Sequence, residues 1–342
     1  MGRFTHGGGV LDGIDIPGGR GGGAKTRSRF GRCARRLGAM EIPAELARTQ
    51  SKFLGARGRA FIAALPGRAA DFLKRWELRR TGPAMHGMCA LVLPVERADG
   101  TPAVLKLQNL DEETAGEPLA LRLWDGDGAV RLLEYDEESG TLLLERLDAA
   151  RDLTGVPVRD GVAVIAGLLA RLTARAAPAG LRTLDGIAGA MLDETPVTVR
   201  SLPGGAERRL LLDCAAAVRE VAGEPGDRLL HWDLHFENVL APVAGPAAGD
   251  GGREPWLAID PKPLAGDPGF ELLPAVVNRF DAGDILWRFD LMTEVMGLDR
   301  ERARAWTLGR VLQSCLWDVD DGERGLSPVH LAVGRELRDR RL

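Results

Sequence analysis

The chain has 342 residues, enough to bury a substantial core and to form one two-lobed unit or two domains. Hydrophobic residues at 45% and charged residues at 27% are the balance of a soluble globular protein, and no apolar run approaches the roughly 20 residues that span a bilayer. The net charge is −4, but residues 1–39 carry eight Lys/Arg against Asp12 and Asp15, so the other 303 residues sum to −10 and make an acidic body that disfavours nucleic acid and attracts cationic ligands.

Residues 1–39 are Gly-rich and then Arg-rich with little apolar periodicity. Burial cannot offset chain entropy in such a composition, so it reads as a disordered extension. A basic nucleic-acid tail and an organelle transit peptide are the alternatives; Asp12, Asp15 and the glycines argue against the second. Patterned sequence opens at Met40. From Pro43, IPAELARTQSKFLG and GRAFIAALPG space apolar residues three and four apart, the period of a helix. MCALVLPVERADGTPAVLKLQ then reads as two strands joined at ADG. PLALRLWDG reads as a helix and AVRLLEYDEESGTLLLERL as a second hairpin. WELRRTGPAMHG ahead of them supplies a first strand and its loop, so five strands with one helix between the third and fourth make a small antiparallel N-terminal lobe over 40–147.

Beyond Leu147 helices dominate, giving a mainly helical C-terminal lobe over 148–342 and an α+β chain. GVAVIAGLLARLTARAA, GIAGAMLDE and ERRLLLDCAAAVREVAG are amphipathic or buried, as are DILWRFDLMTEVMG and ARAWTLGRVLQSCLWDV further on. The low-complexity segment 241–255 reads as an exposed turn between two short strands. Cys33, Cys89, Cys214 and Cys315 lie far apart without a C-x-x-C, which argues against a zinc site or disulfide framework and fits a reducing cytoplasm.

The run LLHWDLHFENVL (229–240) carries the chemistry. Asp233 and Asn238 stand five positions apart just after His231, the spacing of a kinase catalytic loop, in which the Asp accepts the proton of an attacking hydroxyl and the Asn holds Mg²⁺ against ATP. A second carboxylate should follow a short apolar strand, and WLAIDPK supplies Asp260. Two plainer readings compete. H-x-D-x-H over His231, Asp233 and His235 is a transition-metal pattern, though the remaining histidines (His6, His86, His330) are scattered. A strand end whose polar groups merely satisfy the backbone leaves Asp260 unexplained.

Lys106 sits in the apolar strand AVLKL. It is either an edge-strand ammonium in solvent or the lysine that holds the ATP α/β-phosphates, oriented by a glutamate from the next helix. Glu117 is the candidate partner because Pro118 suits a first helical position; Glu113 is the runner-up. TGPAMHG is a poor match to a phosphate-covering G-x-G-x-x-G, leaving Gly87 as the candidate contact or an ordinary hairpin residue. Adenine would meet the backbone around Glu145–Leu147, where the lobes join.

HWDLHFENVL, WLAIDPKPLAGDPGFELLP and MHGMCALVLPVERADGTPAVLKLQ together resemble the aminoglycoside phosphotransferases, and within them the streptomycin 6-kinase family, also described as aminoglycoside/hydroxyurea resistance kinases. ALRLWDGDGAVRLLEYD and LQSCLWDVDDG fit the same group, so the similarity runs from about Met40 almost to the C-terminus. The resemblance implies a protein-kinase-like two-lobed fold and ATP-dependent phosphorylation of a streptidine-ring hydroxyl. It makes Asp233 the catalytic base, Asn238 and Asp260 the Mg²⁺ ligands, Lys106 the phosphate lysine, and His231 a brace of the loop. Two departures stand out. Trp232 replaces the glycine of the related H-G-D, and Asp260 is followed by Pro261-Lys262 rather than Phe-Gly. With no activation loop or A-P-E downstream, the acceptor should be a small molecule.

Streptomycin carries two guanidinium groups, which carboxylates bind through paired charge-assisted hydrogen bonds. Glu271, Asp284, Asp318 and Asp320 are the candidate acceptor carboxylates, while Trp287 and Trp317 read as core more than as stacking residues. The competitors are a kinase of another amino sugar or biosynthetic intermediate, and a nucleotide-binding module without chemistry. Oligomeric state leaves no trace in the sequence.

Overall fold

In the computed structural model, residues 40–243 and 255–339 are described. The expected extension over 1–39 and most of the low-complexity turn lie outside these residues. Helix α1 (Ala44–Arg75) takes up both N-terminal helical patterns, with a break at Gly55, where φ 55° and ψ −123° leave the helical region. That conformation suits a residue without a side chain. There follow β1 (Arg79–Arg80), β2 (Met85–His86), β3 (Ala90–Glu96), β4 (Pro102–Gln108), α2 (Glu117–Trp124), β5 (Leu132–Asp136) and β6 (Thr141–Glu145). They form one antiparallel sheet of order β1-β3-β4-β6-β5, with β2 also paired to β3.

The expected first strand is thus split in two. Pro83 lies in the gap and has no N–H for the ladder, while both pieces stay paired with β3. Leu46, Phe61, Leu65, Ala69 and Phe72 of α1 close a core against Leu91, Leu93, Val95, Leu105, Leu107 and Leu143 of the sheet.

The chain leaves this lobe at β6 and runs into β7 (Leu147–Asp152), α3 (Val158–Leu172), β8 (Arg182–Thr183), α4 (Leu184–Ser201), α5 (Gly205–Val221), β9 (Arg228–Leu230), β10 (Val239–Pro242), β11 (Leu257–Ala258) and β12 (Leu264–Gly266). Helices α6 (Leu273–Val277), α7 (Ile285–Val295), α8 (Arg300–Asp320) and α9 (Pro328–Asp339) complete it. Two small sheets, β11-β10-β7 and β8-β12-β9, accompany these helices. Helix α8 is the central helix: Trp306, Leu308, Val311, Leu312, Cys315 and Leu316 are all buried in one core with α5. The result is a two-lobed, kinase-like α+β fold, and among the described residues no helix is long and apolar enough to cross a membrane.

Candidate active site

The loop between β9 and β10 holds the motif, and buried groups fix it from below. His231 is fully buried, stacked on Trp124 at 6.1 Å, with Nε2 3.0 Å from the Ile259 carbonyl. The Asp233 N–H donates to its Nδ1 at 3.3 Å, so the ring's proton belongs on Nε2 and the imidazole is neutral. Burial pushes its pKa down to about 4. The Asn238 amide donates to the Asp233 carbonyl at 2.9 Å, closing the loop on itself. The N–H groups of His231 and Trp232 both point at the Glu271 carboxylate, at 2.5 and 2.8 Å.

Trp232 explains its departure from glycine. Its φ is 70°, left-handed space that costs a bulky residue about 1–3 kcal/mol. The indole is fully buried between two guanidiniums, Arg182 at 4.6 Å and Arg310 at 4.5 Å, with Trp317 edge-on at 5.8 Å. Burying an indole and two cation–π contacts together outweigh the backbone strain. Arg310 is itself buried; burial draws its pKa down to about 10, against the pull of Asp233 and the acids Glu113 and Glu271.

Antiparallel pairing brings the two metal-ligand candidates together. Val239 faces Ala258 across β10 and β11, and the Ile259 N–H donates to the Asn238 carbonyl at 2.9 Å, so Asn238 and Asp260 flank the same strand ends. Asp260 also has left-handed backbone, φ 56°. Its Oδ1 lies 2.6 Å from Lys106 Nζ and its Oδ2 2.9 Å from Lys262 Nζ. Burial alone would raise this carboxyl, but the two ammoniums overcome it and hold the pKa well below the usual range.

Lys106 is buried and meets both oxygens of Glu117, at 2.7 and 2.8 Å, so the helix partner is Glu117 and not Glu113. Burial would lower its pKa; Asp260 and Glu117 raise it instead. Gln108 adds a bond to Glu117 at 2.8 Å. Gly87 turns the β2–β3 hairpin, its N–H on the Ala90 carbonyl at 3.1 Å. Glu145 and Leu147 stand where the first sheet passes into β7: the Glu145 N–H donates to the Arg131 carbonyl at 3.0 Å, and Leu147 pairs with Pro242.

The acceptor carboxylates chosen from sequence do not converge. Glu271 is corrected outright: it is 0% exposed and spends both oxygens on loop N–H groups, so it braces the catalytic loop instead of walling an acceptor pocket. Burial pushes its carboxyl up to about 7. Asp318 faces His330 at 3.3 Å, Asp284 lies 3.9 Å from Arg288, and Asp320 is exposed at the end of α8. Trp287 lies under Arg159 at 4.4 Å. Sequence reasoning passed over Lys262, Gln108, Arg310 and Glu237. The last is an exposed carboxylate on the catalytic loop itself, held by His235 at 2.7 Å and Asn278 at 2.9 Å. Its position beside Asn238 was the available signal.

The family model for aminoglycoside/hydroxyurea antibiotic resistance kinases matches residues 75–322, a stretch that contains Lys106, Glu117, Asp233, Asn238 and Asp260. The chain belongs to this family. A hydroxyurea phosphotransferase of Kitasatospora aureofaciens is 64% identical over 90% of this chain and 88% of its own length. A streptomycin 6-kinase of Streptomyces glaucescens is 53% identical over 87% of this chain and 97% of its own length. The fold is also that of the aminoglycoside phosphotransferase APH(4)-Ia, solved with ADP and hygromycin B, which superimposes with a TM-score of 0.52 at 14% identity, covering 79% of this chain and 96% of that one. The kinase described here is therefore a small-molecule phosphotransferase with an alcohol-type acceptor.

The neutral state of His231 has a measurable consequence for this kinase. Its folded pKa of about 4 lies below the unfolded value near 6.5, so the unfolded chain takes up the proton first. The stability this neutral ring supports is complete above pH 6.5 and is lost as pH falls toward 4, by up to about 3 kcal/mol. Glu271, raised to about 7, tilts the other way between pH 4.5 and 7. Urea unfolding of wild type and His231→Gln across pH 4–8 isolates the histidine: the stability gap between them should narrow as pH falls. A constant gap would contradict the assignment.

Proposed function

We propose that this kinase transfers the terminal phosphoryl group of ATP to a hydroxyl of a cationic aminoglycoside, with streptomycin as the acceptor, and so confers resistance. What supports the reading is the chain of contacts from Lys106 to Asp260, from the Asp260 strand end to Asn238, and from Asn238 to the Asp233 backbone, in a chain of this family. Lys106, oriented by Glu117, would hold the α/β-phosphates, as its buried position between two carboxylates supports. Asp233 would orient the acceptor hydroxyl and take its proton late, because the transition state is loose. Gly87 and the Glu145–Leu147 backbone would flank the phosphates and the adenine.

Asn238 and Asp260 fit Mg²⁺: the Asn238 Nδ2 is spent on the Asp233 carbonyl, which leaves its amide oxygen, and with the Asp260 carboxylate this is an all-oxygen donor pair. Held there, Mg²⁺ would neutralise charge building on the phosphates. For the acceptor, Glu237 is the exposed carboxylate beside this centre and suits a guanidinium better than Glu271. His235 bonding and the further support of Asn278 keep it ionised, well suited to a cation. An enzyme that draws on ATP in this way belongs in the cytoplasm.

The 64% identity to a hydroxyurea phosphotransferase supports a second acceptor, the N-hydroxyl of hydroxyurea. Incubation with MgATP and, separately, streptomycin, hydroxyurea and plain sugars, followed by mass spectrometry, distinguishes them. Streptomycin should gain one phosphoryl group. If only hydroxyurea does, the second reading replaces the first; nucleotide binding without transfer to any acceptor would overturn both.

A further inference from the structure

Lys262 has no part in the chemistry assigned so far, yet it lies at the centre of the charged cluster. Its side chain is buried, and its Nζ is 2.9 Å from Asp260 Oδ2. Its main chain is tied to the catalytic loop: the N–H donates to the His231 carbonyl at 3.0 Å, and Arg182 donates to its carbonyl at 3.2 Å. Pro261 and Pro263 flank it, which restricts the backbone further. Burial works against the ammonium, and Asp260, with Asp233 and Glu117 as further negative charges, more than offsets it. Lys262 is thus tied through Asp260 to the phosphate-side lysine and through its backbone to the catalytic loop.

The two lysines differ in what they can fall back on. Lys106 has a second carboxylate, Glu117, gripped through both oxygens. Lys262 shares only Asp260, whose two oxygens are already divided between two ammoniums. A magnesium ion on the Asp260 carboxylate would repel the ammoniums that share it and weaken their hold there. Lys106 keeps Glu117, so Lys262 is the ammonium that gains most from another anion. Resting on the nucleotide reading above, we propose that Lys262 is a second phosphate lysine. It exchanges Asp260 for the terminal phosphoryl group and steadies the charge there while Asp233 handles the acceptor. Lys106 would serve the inner phosphates and Lys262 the one being transferred.

This division predicts a dependence on the third phosphate. Calorimetric titration of wild type, Lys262→Met and Lys106→Met with MgADP and with a magnesium complex of a non-hydrolysable ATP analogue reads it without turnover. Lys262→Met should bind MgADP within about threefold of wild type and the analogue about 10- to 100-fold more weakly, the loss expected of a charged hydrogen bond. Lys106→Met should weaken both. Lys262→Arg should restore part of the analogue's affinity, and if Lys262→Met does not fold, Lys262→Gln supplies the same ratio. An analogue affinity in Lys262→Met within about threefold of wild type, or an equal loss for both ligands, would overturn the role of Lys262 alone. Wild type that fails to bind MgADP, or binds it indifferently to Lys106→Met, would overturn the nucleotide reading itself.

Discussion

Asp233→Asn should lower kcat for phosphoryl transfer by roughly 10²–10⁴-fold while leaving MgADP affinity close to that of wild type. The loop around it should survive the change. The backbone at Asp233 is held on both sides, by the N–H to His231 and by the carbonyl that accepts from Asn238. The side chain is 5% exposed and faces the buried Arg310, whose charge it helps to balance. Asn keeps the volume but removes that charge, so a stability loss of about 1–3 kcal/mol should accompany the loss of rate. Asp233→Ala should lose as much rate and more stability. Steady-state kinetics with a confirmed acceptor and urea unfolding separate the two effects, and a near-normal rate in either variant would remove Asp233 from the mechanism.

Asp260→Asn carries the second large effect, and here binding and turnover should fall together. The carboxylate joins Lys106 and Lys262, so removing its charge both weakens metal binding and leaves the two ammoniums short of a counter-charge, with Glu117 in contact with Lys106 alone of the two among the described residues. MgATP affinity should drop roughly 10- to 100-fold, with kcat reduced as well, whereas nucleotide measured without Mg²⁺ should bind about as it does to wild type. The stability cost should stay below the roughly 3–5 kcal/mol of a fully buried broken pair, because the Asp260 side chain is 37% exposed. Asn tolerates the left-handed backbone at this position; Ala does so less well and should cost more. Calorimetry with and without Mg²⁺ tests this directly. An unchanged magnesium dependence would exclude Asp260 as a ligand.

Much of the fold was legible in local pattern. The short apolar runs ALVLPVE and PAVLKLQ with Gly100 in the turn between them specify the β3–β4 hairpin, and Pro118 at the first turn specifies where α2 begins. The two helical patterns before the sheet fall on either side of the break at Gly55, so apolar spacing located both stretches, while the backbone angle that parts them leaves no mark on it. Spacing likewise exposed the pair Asp233 and Asn238 and the strand-end Asp260, because loop chemistry demands fixed separations along the chain.

Residue types and intervals along the chain were enough to place the reacting groups in order and to assign the family. Burial and charge partners were another matter. Glu271 looked like a surface acid in GDPGFE, and it became a brace because that segment packs beneath a loop some 40 residues earlier. Trp232 looked like an awkward substitute for glycine until Arg182 and Arg310, from β8 and α8, enclosed its ring. Lys262 adjoined a recognised motif, but its meaning depends on sharing one carboxylate with a lysine 156 positions away. Such facts arise when distant segments exclude water from one another, and the free energy of a charge there depends on every neighbour at once, which no local stretch of chain encodes.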